Sequence, residues 1–207
     1  MLIISDTHTD FNTLFSMLDN SKEKNIIMLG DHGFGESINN IMIMSTAYLH
    51  QIYPTKQFYI IQGNHDNSEY MRPYSNIKTI LSKNGWETYT IERKNCLFIP
   101  GAYSYDKKLQ LAQGTYYFDE EMQFIYFIHL IENGPKNIDL LFSHDTSLDN
   151  YYRFYKNAKK SRTNQALKFV YEIYRNVPKY HGHLHNSYVN NDLLISGLEI
   201  NESVCIW

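Results

Sequence analysis

Short, uniformly apolar runs alternate with segments of helical period along the first third of the chain. Leu2–Ser5, Ile26–Leu29 and Gln57–Ile61 are too continuous for one-sided strands and read as strands buried on both faces. Between the first two, Phe11–Lys22 sets Leu14, Met17 and Leu18 on one helical face, with Asp10 as a suitable N-cap. Ser37–Tyr53 is apolar enough for a buried helix ending ahead of Pro54. This alternation predicts βαβ units and a parallel sheet.

Beyond residue 80 the pattern changes. Glu87–Ile91 and Cys96–Ile99 read as strands joined by a tight turn, Glu120–Ile131 as a helix and Ile138–Phe142 as a strand. Ser161–Asn176 carries Leu167, Val170 and Ile173, followed by Val177, at helical spacing. Tyr188–Trp207 reads as strands joined by the polar turns Asn190-Asn191 and Asn201-Glu202. The expectation is two sheets packed face to face with helices outside. No linker or repeat interrupts the chain, so residues 1–207 are expected to form one domain.

Composition narrows the function classes. A formal net charge of −3 gives no support to a general nucleic-acid binder, which normally carries a basic excess. No run approaches the roughly 20 apolar residues that span a bilayer, and no signal peptide is visible at Met1. The two cysteines, Cys96 and Cys205, fall in no zinc-type spacing and suit a reduced, cytoplasmic chain.

The chemistry is concentrated in five polar clusters, each directly after an expected strand. They are Asp6-Thr7-His8, Gly30-Asp31, Gly63-Asn64-His65-Asp66, Ser143-His144 and Gly182-His183-Leu184-His185. Open α/β sheets bind ligands at the carboxyl ends of their strands, so clusters far apart in sequence are expected to meet there. Carboxylate, amide and imidazole donors without thiolate suit hard or borderline divalent metals. Asp6 and His8 are two apart, as are His183 and His185, so on extended segments each pair points to one side. Any one cluster is weak as a signal; the ordered set is strong.

That ordered set resembles the calcineurin-like metallophosphoesterases, over residues 6 to 185. Gly101–Lys107 also resembles a segment of small bacterial and phage members. The resemblance implies a four-layer αββα sandwich of two mixed sheets. It implies one divalent metal on Asp6, His8, Asp31 and His185, and a second on Asp31, Asn64, His144 and His183, with Asp31 bridging. Manganese is favoured, and iron, zinc or nickel also suit these donors. The implied reaction is hydrolysis of a phosphodiester or phosphomonoester by a metal-bridging hydroxide, with His65 stabilising or protonating the leaving oxygen. Asp66 is expected to orient His65.

One departure bears on substrate. Many members, the protein Ser/Thr phosphatases among them, continue the second motif to an Asp-Arg pair, whereas here Gly30-Asp31 runs on to His32-Gly33-Phe34-Gly35. Lys107 and Arg162 are candidate replacements for the missing phosphate-binding arginine. Tyr151–Tyr180 interleaves aromatics with eight basic residues against Glu172, a pattern for nucleotide or nucleic-acid substrates that also fits a solvated helix face. Arg72, Tyr74, Tyr103 and Tyr105 are candidates to shape substrate access. His32 and His181 are expected near the site without ligating, and His50 and His129 are expected to be structural. A protein phosphatase is the runner-up reading, and a binding module without turnover is the competing class. Oligomeric state is left open.

Overall fold

The computed structural model describes residues 1–38, 42–113, 116–156, 159–191 and 194–206. One sheet contains β1 (Leu2–Ile4), β2 (Asn25–Met28), β3 (Gln57–Ile61), β4 (Ile77–Ile80) and β11 (Ser203–Cys205), in the order β11-β1-β2-β3-β4. β1 to β4 are parallel, and β11 pairs antiparallel with β1 at the edge. The second sheet contains β5 (Glu87–Ile91), β6 (Lys94–Ile99), β7 (Leu140–Ser143), β8 (Lys179–His181), β9 (Tyr188–Asn190) and β10 (Ile195–Gly197), in the order β5-β6-β7-β8-β10-β9. Its inner strands are parallel and its two outer pairs antiparallel.

Side-chain parity divides the interior into three cores. Leu2, Ile4, Ile26, Met28, Phe58 and Ile60 face Leu14 and Leu18 of helix α1 (Phe11–Asn20) and Leu49 of α2 (Thr46–Ile52). The alternate residues Ile3, Ile27, Tyr59 and Ile61 face Cys96, Phe98, Leu140 and Phe142 of the second sheet. On that sheet's far side, Leu97, Ile99 and Leu141 meet Phe127 and Leu130 of α4 (Phe124–Asn133) and Leu167 and Val170 of α6 (Arg162–Ile173). The layers are therefore helix, sheet, sheet and helix. Strands covered on both faces must be apolar at successive positions, which is why these runs are continuous. Phe98 and Phe142 stack with centroids 5.2 Å apart at the centre; truncating either to Ala should cost about 3–5 kcal/mol.

Helix starts follow local capping. The Asp10 carboxylate accepts from Thr13 N at 3.1 Å, the Ser45 hydroxyl from Tyr48 N at 3.3 Å, and Ser161 with Asn164 forms a reciprocal capping box. Between β5 and β6, Glu92 and Arg93 both adopt positive φ, as a tight hairpin requires. The helix expected over Ser37–Tyr53 is mostly replaced. Ser37 bridges antiparallel to Ile43, and only Thr46–Ile52 is helical, while residues 39–41 lie outside the described set. Gly33 and Gly35, both at positive φ, turn the chain back before the apolar run. The helix expected over Glu120–Ile131 begins only at Phe124. Strand β4 and helices α3 (Lys107–Gln113) and α5 (Leu148–Phe154) add to the expected elements. Trp207, at the end of the last expected strand segment, is outside the described residues, as is the end of the Asn190-Asn191 turn at 192–193. No described helix is long and apolar enough to cross a membrane.

Candidate metal centre

The five polar clusters leave the carboxyl ends of β1, β2, β3, β7 and β8, which lie side by side within their two sheets. Their donors gather into overlapping groups, each with ligand atoms within 4.8 Å of one another. One is Asp6, His8 and His185, another Asp31, His144 and His183, and a third is His8, Asp31 and His65. Between the first two groups, His8 Nε2 lies 3.8 Å from Asp31 Oδ2.

The donors do not converge by strand alternation. Asp6 (φ 41°), His8 (41°), Asp31 (54°), His183 (62°) and His185 (51°) all sit in the left-handed region rather than on extended backbone. Asp and His tolerate this better than most residues, but each still costs roughly 1 kcal/mol or more. Such strain persists only where the surroundings hold it, and it is concentrated here on the donor residues.

Glycines provide the close approaches. A Cβ on Gly30, at φ +106°, would lie 2.6 Å from His144 Nδ1. A Cβ on Gly63 would overlap the Asp31 carboxylate, and one on Gly182 the Asp6 carboxylate.

Hydrogen bonds orient the individual donors. His144 Nδ1 donates to the Leu29 carbonyl at 2.8 Å, leaving Nε2 directed at Asn64 Oδ1, 3.1 Å away, and Asp31 Oδ2, 3.4 Å away. The Asn64 amide nitrogen donates to Ser104 Oγ at 3.0 Å, so its oxygen faces the donors. Asp31 Oδ1 accepts from His65 N at 2.8 Å, while its Oδ2 is buried without a hydrogen-bond partner. Asp6 accepts the Ser5 hydroxyl and the His183 N–H, the latter at 3.0 Å to Oδ1. His8 Nε2 and His185 Nε2 approach to 2.9 Å, and buried His183 Nε2 has no partner.

The electrostatics follow from burying two carboxylates among imidazoles. Burial opposes charge on both Asp31 and His144, but each stabilises the other's ion. Asp31 is held well below the usual carboxylate range, and His144 is pushed up to about 10. Burial, reinforced by the nearby Asp31 charge, raises Asp6 to about 7. Burial lowers His8 to about 4 and holds His183 well below the usual imidazole value, favouring the neutral, ligating forms.

These features fit divalent-metal binding. The donor set is oxygen and imidazole nitrogen, and two of its buried atoms, Asp31 Oδ2 and His183 Nε2, make no hydrogen bond. Two facing imidazole nitrogens at 2.9 Å likewise converge as ligands do.

Asp66 holds a different place from the one expected. Its carboxylate accepts from the backbone N–H groups of Asp31, His32, Gly33, Phe34 and Gly63 at 2.8–3.1 Å. It ties the loop after β2 to the loop after β3 and does not orient His65. Burial still raises its carboxyl to about 6. The His65 ring instead lies 5.3 Å from the His8 ring and 3.4 Å from the Gln110 amide nitrogen, which also donates to Asp106 at 2.7 Å.

Lys107 and Arg162 are not brought to the site. The Lys107 ammonium donates to the Tyr116 hydroxyl at 2.7 Å, and Arg162 pairs with Glu121 at 3.7 Å. The adjoining cavity, about 760 Å³, is lined by Asp31, Asn64, His65, His183 and His185 on the donor side. Tyr105, Asp106, Tyr151, Tyr155, Lys156, Lys159 and Leu184 complete the lining. Lys156 and Lys159 are the lysines that line the cavity; the sequence pattern marks them only among eight basic residues. Tyr103 packs edge-on against Tyr105, Tyr74 stacks on His50, and the Arg72 N–H donates to Thr46 Oγ1. His32 is buried against Thr7, His181 bonds Tyr188, and His129 stacks on Trp86.

The family profile of the calcineurin-like phosphoesterases matches residues 1–197, and the chain belongs to this family of hydrolases acting on phosphate esters. The family uses divalent metals, and the Asp/His groups described above are candidate sites for them. A provisionally assigned 5′-nucleotidase from Staphylococcus aureus is similar in structure, with a TM-score of 0.58 at 12% identity. The alignment covers 96% of this chain and 47% of that one, so the chain spans about half the length of that nucleotidase. An archaeal phosphodiesterase aligns with a TM-score of 0.42 at 11% identity, covering 97% of this chain and 84% of its own. The NAD nucleotidase of Haemophilus influenzae aligns with a TM-score of 0.42 at 16% identity, covering 93% and 39%. No curated protein matches the chain.

Proposed function

We propose that the chain is a dinuclear-metal-dependent phosphoesterase, acting on a phosphodiester or phosphomonoester of nucleotide type. The observation that carries this reading is Asp31 Oδ2. It is buried and makes no hydrogen bond, with His144 Nε2 at 3.4 Å and His8 Nε2 at 3.8 Å. A carboxylate so placed can serve two ions at once. Asp6, His8 and His185 would complete one site with it, and Asn64, His144 and His183 the other. When bound, such a pair supplies Lewis-acid neutralisation of phosphoryl charge and an activated water at neutral pH.

The chain's own residues then have separable tasks. Leu29 and Ser104 hold His144 and Asn64 in their ligating orientations. His65, partly buried at the cavity edge, would give a proton to the leaving oxygen through its ring. The tyrosines lining the cavity favour an ester carrying a flat, apolar group, which supports the nucleotide preference.

The test is turnover of an aryl phosphomonoester and a bis-aryl phosphodiester with added manganese, comparing the wild type with Asp31→Asn and His65→Ala. Metal-dependent turnover lost in Asp31→Asn and lowered at least 100-fold in His65→Ala is expected. Wild-type protein inert toward both esters with manganese, iron, zinc and nickel would overturn the reading.

A further inference from the structure

Beside the donor residues the cavity is lined by aromatic rings and lysines. Tyr105 and Tyr155 are 39% and 47% exposed, while Tyr151 behind them is 2% exposed. The Tyr105 hydroxyl donates to the Lys159 carbonyl and that of Tyr155 to the Leu184 carbonyl, each at 3.3 Å. Asn186 also donates to the Tyr155 hydroxyl at 3.2 Å. The phenols are thus anchored at their polar tips, yet both rings keep much of their surface in the open. Tyr105 lies 5.7 Å from Tyr151 and stacks at 6.2 Å on His183, so the aromatic wall runs up to the donor cluster.

Of the eight cations in Tyr151–Tyr180, Arg153, Lys160 and Arg175 do not line the cavity and, among the described residues, make no ion pair; the other five differ in their contacts. Arg162 is paired with Glu121, Lys168 with Asp149, and the Lys179 ammonium donates to the Arg175 and Val177 carbonyls. Lys156 and Lys159 line the cavity instead, and no carboxylate among the described residues lies within 4.0 Å of either ammonium. Cations left unpaired beside exposed aromatic rings are suited to phosphate and base together.

We infer that Tyr105, Tyr151 and Tyr155, with Lys156 and Lys159, form a subsite for a nucleobase and a second phosphate beside the scissile one. The argument rests on the proposed function in one respect, that the scissile phosphate is held at the Asp31 cluster. A simple phosphomonoester places its only phosphate there and leaves the two lysines without a partner. A ligand with a base and two phosphates satisfies the donor cluster, the rings and the lysines together. Such chemistry comes either from a single-stranded oligonucleotide or from a free nucleoside polyphosphate.

The test is calorimetric titration of the intact chain, metal-free and again with manganese. The probes are thymidine 3′,5′-bisphosphate, thymidine 5′-monophosphate and inorganic pyrophosphate. The bisphosphate should bind roughly tenfold or more tighter than pyrophosphate, the scale of one base-aromatic stack. It should also bind tighter than the monophosphate. Tyr155→Leu should remove the advantage over pyrophosphate, and Tyr155→Phe should retain it. Lys156→Gln with Lys159→Gln should remove the advantage over the monophosphate and flatten the salt dependence.

A bisphosphate that binds no tighter than either control overturns the inference. So does an advantage that survives both sets of substitutions in variants with wild-type circular dichroism. Competition by oligothymidylate or by thymidine triphosphate identifies the source and supports the subsite; displacement by neither counts against it. Because the metal-free arm reads binding alone, a failed subsite is distinguishable from a failed catalytic reading.

Discussion

Asp31 Oδ2 lies 3.4 Å from His144 Nε2, and neither side chain is exposed to solvent. The two come from different sheets, one from the loop after β2 and the other from the end of β7. Their contact joins the two sheets at the point where the donor groups overlap. A buried ionic contact of this kind is weak evidence for stability, since desolvating both charges offsets much of their attraction. Its placement, with a second carboxylate oxygen held by His65 N, is better explained by ligation.

Asp31→Asn should therefore weaken metal binding more than it weakens the fold. Removing the shared carboxylate charge should lower manganese affinity at least 100-fold and reduce the bound stoichiometry below two ions per chain. Calorimetric titration with manganese reads both quantities. Wild-type stoichiometry and affinity in the variant would rule out the proposed bridging role of Asp31.

Asp66 leads to the opposite expectation. Five backbone N–H groups converge on its carboxylate, four of them from the consecutive residues Asp31 to Phe34. Such a nest of amides suits an anion. Truncating the acceptor leaves several buried donors unpaired, at about 1–3 kcal/mol for each that water cannot reach. Asp66→Ala should lower the melting temperature strongly, by the equivalent of about 3 kcal/mol or more. A variant with normal melting and only a lowered turnover would return Asp66 to the role of orienting His65.

The difference between expectation and finding at Asp66 shows where sequence reading stops. Buried strands were readable because Ile3, Ile27 and Ile61 must be apolar on the inter-sheet face while their neighbours Ile4, Ile26 and Ile60 meet helices. The polar residues that end those strands stood out for the same reason. Asn-His-Asp at the end of β3 carried no sign of which member faces backbone, since that depends on the chain path after Gly30. Ser37–Tyr53 misled because apolar content alone does not separate a buried helix from a loop that leaves Met42 and Ile43 exposed. Lys156 and Lys159 could not be separated from Lys168 and Arg162 by spacing alone, since pairing with Asp149 and Glu121 is a tertiary fact.

Gly63 gives a steric test of the same loop. Its φ is not in the left-handed region, so alanine meets no backbone penalty there, but its methyl would overlap the Asp31 carboxylate. Gly63→Ala should displace Asp31 and abolish manganese binding while the distal core survives. Circular dichroism should retain the α/β signature as calorimetry loses the metal isotherm. Unchanged metal affinity would mean the loop yields freely at this position.

Cys96 offers a check on the inter-sheet core that is independent of the metal centre. Its thiol is fully buried beside Phe98 and Leu140, whereas Cys205 is exposed. Burial, with Asp139 nearby, pushes the Cys96 thiol up to about 12, against an ordinary value of 9.0. In the native protein one thiol per chain should therefore react rapidly with an aromatic disulfide reagent, the second only on unfolding. The pH dependence follows from the same shift. Above pH 9 the unfolded chain loses the Cys96 proton while the folded chain keeps it, so the unfolded state binds fewer protons and stability falls as pH rises. For one group the slope approaches about 1.4 kcal/mol per pH unit. Denaturant midpoints measured between pH 8 and pH 11 should decline more steeply for the wild type than for Cys96→Ala. Equal slopes in the two proteins, or two fast thiols in the native wild type, would mean that the sheets do not close over Cys96.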